Sequence, residues 1–141
     1  MSSLTEGRLN FEFDTAVQAA QYDKWTYYRK HFSKISGMKA VDFVCYQAME
    51  DTCWLIEVKD YRASTRTKPS ELAIEITEKV VHTLAGLASA RLRAGRDDER
   101  AMADAVLRCT ELRVVVSPMS VCLARWPMSQ ITSPFTRIRR T

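Results

Sequence analysis

The sequence predicts an α/β domain with a mixed β-sheet flanked by helices, and three observations carry that prediction. Two runs rich in β-formers, "MKAVDFVCYQ" (38–47) and "CWLIEVKDY" (53–61), are separated only by the polar "AMEDT", which makes an antiparallel hairpin the simplest reading. A long helical pattern then runs from about Pro69 to Gly95. After a second, shorter helix, the buried-type run "ELRVVV" (111–116) supplies a further strand. Helix, two antiparallel strands, helices and strand are an order that packs as a sheet against helices.

The elements follow in turn. "RLNFEF" (8–13) alternates well enough for a short strand or an extended lead-in. Asp14 is expected to cap a helix through about Phe32, because Val17, Ala20, Trp25, Tyr28 and Phe32 recur at helical spacing. The polar "SKISG" ends it, and the hairpin that follows turns around Met49 and Glu50. Past the breaker-rich "RASTRTKPS", Pro69 or Ser70 opens the long helix and Gly95 stops it. Leu72, Ile76, Val80, Thr83 and Leu87 form its apolar stripe, with Glu71, Glu75, Glu78 and Lys79 mostly on the wet side. Asp97 or Asp98 caps a helix over 98–109. Beyond Ser117 the pattern fades, since Pro118, Pro127 and Pro134 interrupt it and only "VCLARW" (121–126) suits another strand. The expected division is an α/β domain over 1–117 and an irregular basic C-terminal tail over 118–141.

At 141 residues and 46% hydrophobic content, the chain can bury one real core. No apolar run approaches the roughly 20 residues that span a bilayer, and "MSSLTEGRLN" does not read as a targeting segment, so a soluble cytoplasmic protein without membrane contact is expected. Cys45, Cys53, Cys109 and Cys122 lack CxxC spacing, and His31 and His82 are the only histidines, which disfavours a zinc site. Hairpin pairing sends Cys45 and Cys53 to opposite faces, against a local disulfide. The net charge of +4 is uneven. Arg113, Arg125, Arg137, Arg139 and Arg140 occur in residues 112–141 without any acid, leaving residues 1–111 at −1.

A core strand reading "CWLIEVKDYR" raises the question of why it accepts charge. Glu57 and Lys59 share one face while Ile56 and Val58 take the other. With the turn at Met49 and Glu50, Asp42 lies across from Glu57, so Asp42, Glu57 and Lys59 converge. Two opposed carboxylates repel unless a cation lies between them or one is protonated. Oxygen ligands of this kind suit Mg²⁺ or Mn²⁺, which polarises a phosphodiester and activates water, and Lys59 is placed to orient that water or stabilise developing negative charge.

These residues resemble the PD-(D/E)XK nuclease superfamily with its restriction-endonuclease-like fold: Asp42, a hairpin, then Glu57-Val58-Lys59 at the end of a hydrophobic strand, with helices before and after. The resemblance covers roughly residues 14–116. It implies that Asp42 and Glu57 hold the divalent metal, that the Val58 main-chain carbonyl can join them, and that Lys59 assists the attacking water. A further acid often comes from the preceding helix, with Asp23 ranked ahead of Glu12 and Asp14. Val41 stands where the motif's name puts proline.

The implied activity is metal-dependent hydrolysis of DNA phosphodiesters, by a homodimer or one part of a larger defence, repair or recombination assembly. The alternative is a non-catalytic module of the same fold that binds nucleic acid or a protein. Glu57 and Lys59 also fit a solvated cross-strand ion pair. The Trp25, Tyr27, Tyr28 cluster fits core packing better than base stacking. His82 reads as structural, and Gly86 as a point of close helix packing. Arg62 and Arg66 are candidate phosphate contacts. For Arg137, Arg139 and Arg140 a nucleic-acid arm and a disordered basic terminus both fit.

Overall fold

The computed structural model describes residues 2–59, 69–118 and 135–140. In chain order the strands and helices are β1 (Ser2–Glu6), β2 (Leu9–Phe13), β3 (Val17–Gln21), β4 (Phe43–Gln47), β5 (Thr52–Lys59), α1 (Pro69–Arg93), α2 (Asp97–Arg108), β6 (Glu111–Pro118) and β7 (Phe135–Arg140). Strands β3, β4, β5 and β6 lie side by side in that order; the first three run antiparallel, and β6 runs parallel to β5. The protein is therefore α/β with a mixed sheet. A second antiparallel sheet has the order β1-β2-β7.

Strand β5 has a neighbour on each edge, and Thr52 through Glu57 are all buried, which is why its sequence reads as a nearly continuous apolar run. Its alternating side chains enter two cores. Cys53 and Leu55, with Val44, pack under the helices against Tyr22, Trp25, Leu87, Ala90, Met102 and Val106. Trp54 and Ile56, with Phe43 and Cys45, pack against Leu9, Phe11 and Phe13 of β2. The four-stranded sheet is the middle layer, with helices on one face and the small sheet on the other. Cys45 and Cys53 are both free thiols and enter opposite cores. The hairpin turns at residues 48–51, with Asp51 in the left-handed region (φ 48°), a conformation aspartate tolerates well. Asp51 also anchors the start of β6, accepting hydrogen bonds from the Thr110 N–H on both its carbonyl and its carboxylate, each at 3.1 Å.

Helix α1 buries the predicted stripe. Thr83 and Leu87 are buried, with Leu72, Ile76 and Val80 half-buried, and the Thr83 hydroxyl accepts the Val41 N–H at 3.1 Å. His82 is structural too, its Nδ1 accepting the Lys39 N–H at 3.0 Å. Gly86 is the close-packing point: a Cβ there would overlap the hydroxyl of Tyr22, which is itself 1% exposed and cannot swing away. Gly86→Ala is expected to destabilise the fold by about 1–3 kcal/mol in urea titration, despite the better helix propensity of alanine.

Two expectations require correction. Residues 14–32 do not form a capped helix. Residues 17–21 form β3, followed by a 3-10 turn over Tyr22–Lys24 and a π-type turn over Tyr28–Phe32. The reason is tertiary: Val17 through Gln21 pair with Gln47 through Phe43 and complete the edge of β4, a supply of backbone partners that outweighs the local helical spacing. Asp14 accepts the Ala16 N–H at 2.9 Å in a turn that opens β3, not at a helix start. The aromatics of the supposed stripe still enter the core, and buried Glu99 of α2 receives the Thr26 and Tyr27 N–H groups at 2.6 and 3.3 Å.

The second correction concerns the tail, expected to be irregular. Residues 135–140 form β7 against β2, with Ile138 packed on the second core. Alternation in "FTRIRRT" is masked by arginines on the outward positions. Residues 121–126, the other candidate strand, lie outside the described residues. Strand β1 was not foreseen from the sequence. Among the described residues no helix is long and apolar enough to cross a membrane.

Candidate functional site

The hairpin register pairs Phe43 with Ile56, so the next residues outward, Asp42 and Glu57, face each other. Asp42 is bonded at several points. Its N–H donates to the Ile56 carbonyl at 3.0 Å, its carbonyl accepts the Tyr22 N–H at 3.0 Å, and its Oδ2 accepts the Val58 N–H at 2.7 Å. Ile56 and Val58 thus present backbone groups to the same edge of β5, so the Val58 carbonyl is directed along that edge beside Asp42.

Glu57 is 2% exposed. Its Oε1 receives the Lys79 ammonium of α1 at 2.5 Å and lies 3.5 Å from Lys59 Nζ, whereas Oε2 is buried with no hydrogen-bond partner. Lys59 is itself held by Glu75 Oε1 at 2.6 Å, and Lys79 lies 3.8 Å from the same oxygen. One helical turn separates Glu75 from Lys79, so α1 sets an acid and a base over the matching pair on β5.

Carboxylate oxygens of Glu6 and Asp23 also come together with one of Asp42, all within 4.8 Å of one another. Asp23 reaches the site from the 3-10 turn after β3, and its Oδ1 is the second buried carboxylate oxygen without a partner. Glu6, at the end of β1, is steadied by Gln21 Nε2 at 2.7 Å. Lys24 lies 3.6 Å from Asp23. Fully ionised, the five carboxylates Glu6, Asp23, Asp42, Glu57 and Glu75 face the three ammonium groups Lys24, Lys59 and Lys79, a net charge of −2.

Asp42 titrates well above an ordinary aspartate. Its carboxyl is pushed up to about 7, by burial first and then by the charge of Glu57, with the Val58 N–H and Lys79 opposing and Glu6 adding to the rise. For Lys59, burial disfavours the charge, but the hydrogen bond to Glu75 and the charges of Glu57 and Glu75 outweigh it and raise the pKa. Glu75 is lowered, chiefly by that same hydrogen bond. A partly buried carboxyl titrating near neutrality, beside a charged lysine and orphaned carboxylate oxygens, has the character of a functional site. The donors are all oxygens, the set that Mg²⁺ and Mn²⁺ prefer.

The structure brings Asp23 and the Val58 N–H to Asp42, with Glu57 near enough to act on its charge and Lys59 beside Glu57; among the described residues the carboxylates grouped closely enough to share one ion are Glu6, Asp23 and Asp42, without Glu57. Glu12 and Asp14 are elsewhere: Glu12 lies on the outer side of β2, 3.1 Å from Arg139, and Asp14 is exposed in its turn. Arg137 and Arg139 are exposed on the outer side of the small sheet, away from the face of β5 that carries Glu57, and the site does not include them. The Arg140 side chain, Arg62 and Arg66 lie outside the described residues. Sequence reasoning missed Glu6, Glu75 and Lys79. The i,i+4 spacing of Glu75 and Lys79 was a usable signal, but it fits equally a solvated helix face; Glu6 carried none beyond the turn at Gly7.

No family model matches the chain, and no solved structure matches it. It is similar to a cysteine–tRNA ligase of Neisseria meningitidis serogroup A / serotype 4A, 28% identical over 147 residues, with 82% of this chain and 21% of that protein covered. The chain thus spans about a fifth of the length of the curated relative it matches.

Proposed function

We propose that the chain is a metal-dependent nuclease domain with a restriction-endonuclease-like core, hydrolysing DNA phosphodiesters. Support for the fold comes from the antiparallel β3-β4-β5 meander, the helices that follow, and the return of the chain as β6 parallel to β5. The single observation that carries the function is the pair of buried, partnerless carboxylate oxygens, Glu57 Oε2 and Asp23 Oδ1, near Asp42. Such atoms are costly unless something binds them.

Asp42, Glu57 and the Val58 carbonyl would hold Mg²⁺ or Mn²⁺, with Asp23 and Glu6 completing the oxygen set. When bound, the cation supplies Lewis-acid stabilisation of the phosphate's developing charge and eases deprotonation of water. Lys59 does the rest of the electrostatic work: held by Glu75 and beside Glu57, it is fixed and charged where a phosphate oxygen or attacking water meets the metal ligands. Lys79 neutralises Glu57 from the helix side and leaves its second oxygen for the cation.

The test is incubation of the protein with supercoiled plasmid, single-stranded DNA and tRNA in Mg²⁺, Mn²⁺ or EDTA. Cleavage in either metal and none in EDTA is the expected result; a folded protein that cleaves none of the three with either metal contradicts the reading. Similarity to part of a cysteine–tRNA ligase favours a second reading, a non-catalytic module that works on or beside tRNA. Its signature is retention of tRNA in a mobility-shift assay, insensitive to EDTA and without cleavage.

A further inference from the structure

Helix α1 is apolar on two faces. Besides its inner stripe, Ile74, Thr77, Val81, Ala85, Ala88 and Leu92 recur at spacings of three and four and form a line on the opposite side. All six are exposed; Ile74, Val81 and Leu92 retain 63%, 57% and 78% of their surface. The line is about 27 Å long at the α-helical rise. A solvent-facing helix normally carries charge along such a line; here the line is uncharged, its one hydroxyl, Thr77, is turned back onto the Ala73 carbonyl at 2.8 Å, and such a surface is one that another molecule covers.

Charge indicates which molecule. Exposed Glu71 flanks the N-terminal end of the line and exposed Arg93 its C-terminal end, whereas Glu78 and Arg91 are already paired within the protomer, with Lys39 and Asp104. A second α1 laid antiparallel sets the acidic end of each copy against the basic end of the other and opposes the two macrodipoles. The line is self-complementary in that register. A two-fold axis beside Thr83 places Ile74 across from Leu92 of the second copy and Val81 across from Ala85, large against large at the ends and large against small near the centre. Glu71 then comes within a turn of Arg93 of the second copy. A parallel pairing would stack like charges at both ends.

We propose that a second copy of this chain covers the outer face of α1 in an antiparallel, two-fold symmetric dimer. The face is independent of the carboxylate cluster, so the proposal stands whether or not the chain is a nuclease. Along the axis the Glu75 residues of the two copies lie about 24 Å apart and the Lys79 residues about 12 Å apart.

Sedimentation equilibrium of the whole chain from low to high micromolar concentration tests it. The expected result is a shift from the 16.2 kDa monomer to twice that mass. Val81→Asp should weaken the dimer by at least about tenfold without changing the circular dichroism, since Val81 is exposed within the protomer. Glu71→Arg and Arg93→Glu should each weaken association, and the double variant should restore it. Mixing Ile74→Cys with Leu92→Cys protein under mild oxidation should give a cross-linked pair. Monomer throughout the range, a dimer indifferent to Val81→Asp, or efficient cross-linking of Ile74→Cys with itself would overturn the proposal.

Discussion

Lys59→Ala is expected to lower metal-dependent cleavage by about 10²–10³-fold, the range typical of removing one preorganised charge-stabilising donor. The substitution is clean because the structure separates chemistry from folding at this position. Glu57 keeps its closer partner, Lys79, and Glu75 keeps Lys79 at 3.8 Å, so no carboxylate is stranded. Asp42→Asn should cost at least as much by a different route. The amide oxygen still accepts the Val58 N–H, but the charge that draws the cation is gone. Single-turnover cleavage across a Mg²⁺ titration distinguishes the two: Lys59→Ala should lose rate at saturating metal, whereas Asp42→Asn should also need more metal. Equal cleavage by wild type and both variants would place the active centre elsewhere.

The second large effect is a stability that depends jointly on pH and metal. In the folded protein Asp42 titrates at about 7, against 3.8 for an ordinary aspartate. The folded state therefore binds more protons than the unfolded state between those values, and the stability of the metal-free protein falls as pH rises from about 4 to 7, then levels. Glu75 acts in the opposite direction, and its window lies below its ordinary value of 4.5, so the two do not overlap above pH 5. In EDTA, melting should be higher at pH 5.5 than at pH 8.5. Asp42→Asn should flatten this part of the profile and melt above wild type at pH 8.5, while cleaving poorly. Millimolar Mg²⁺ should raise the melting temperature more at pH 8.5 than at pH 5.5, because metal and proton compete for the same carboxylate. A metal-induced shift that is equal at both pH values, or unchanged in Asp42→Asn, would dissociate Asp42 from the cation site. Glu6→Gln should diminish the shift if its oxygen belongs to the set, a role nothing in the sequence advertised.

The helices and the central hairpin were legible for physical reasons that operate locally. Pro69 at a helix start, Gly95 past its end and an apolar residue every third or fourth position define α1 almost without its surroundings. The strands of the hairpin announce themselves by composition, and the turn at 48–51 then fixes the register, so Asp42 opposite Glu57 followed from counting. Residues 14–32 misled because Val17, Ala20, Trp25, Tyr28 and Phe32 are all apolar at helical spacing, yet they are buried by different elements: Val17 by the small sheet, the aromatics by α1 and α2. Periodicity records that a residue is buried, not which neighbour buries it.

The sequence by itself determined the mixed α/β architecture, the two helices, the central pairing and the convergence of Asp42, Glu57 and Lys59, because strand alternation and turn length act within a few residues. Only the tertiary structure decided what completes the cluster. Glu6 from β1 and Glu75 and Lys79 from α1 meet there through sheet pairing and helix packing between segments far apart in the chain, and Asp23, the first-ranked candidate for a further acid, reaches it from a turn after β3 and not from a helix. The same long-range pairing turned residues 17–21 into an edge strand and residues 135–140 into the partner of β2, since backbone hydrogen bonds offered by a preformed sheet outweigh local preferences worth only a fraction of a kcal/mol per residue.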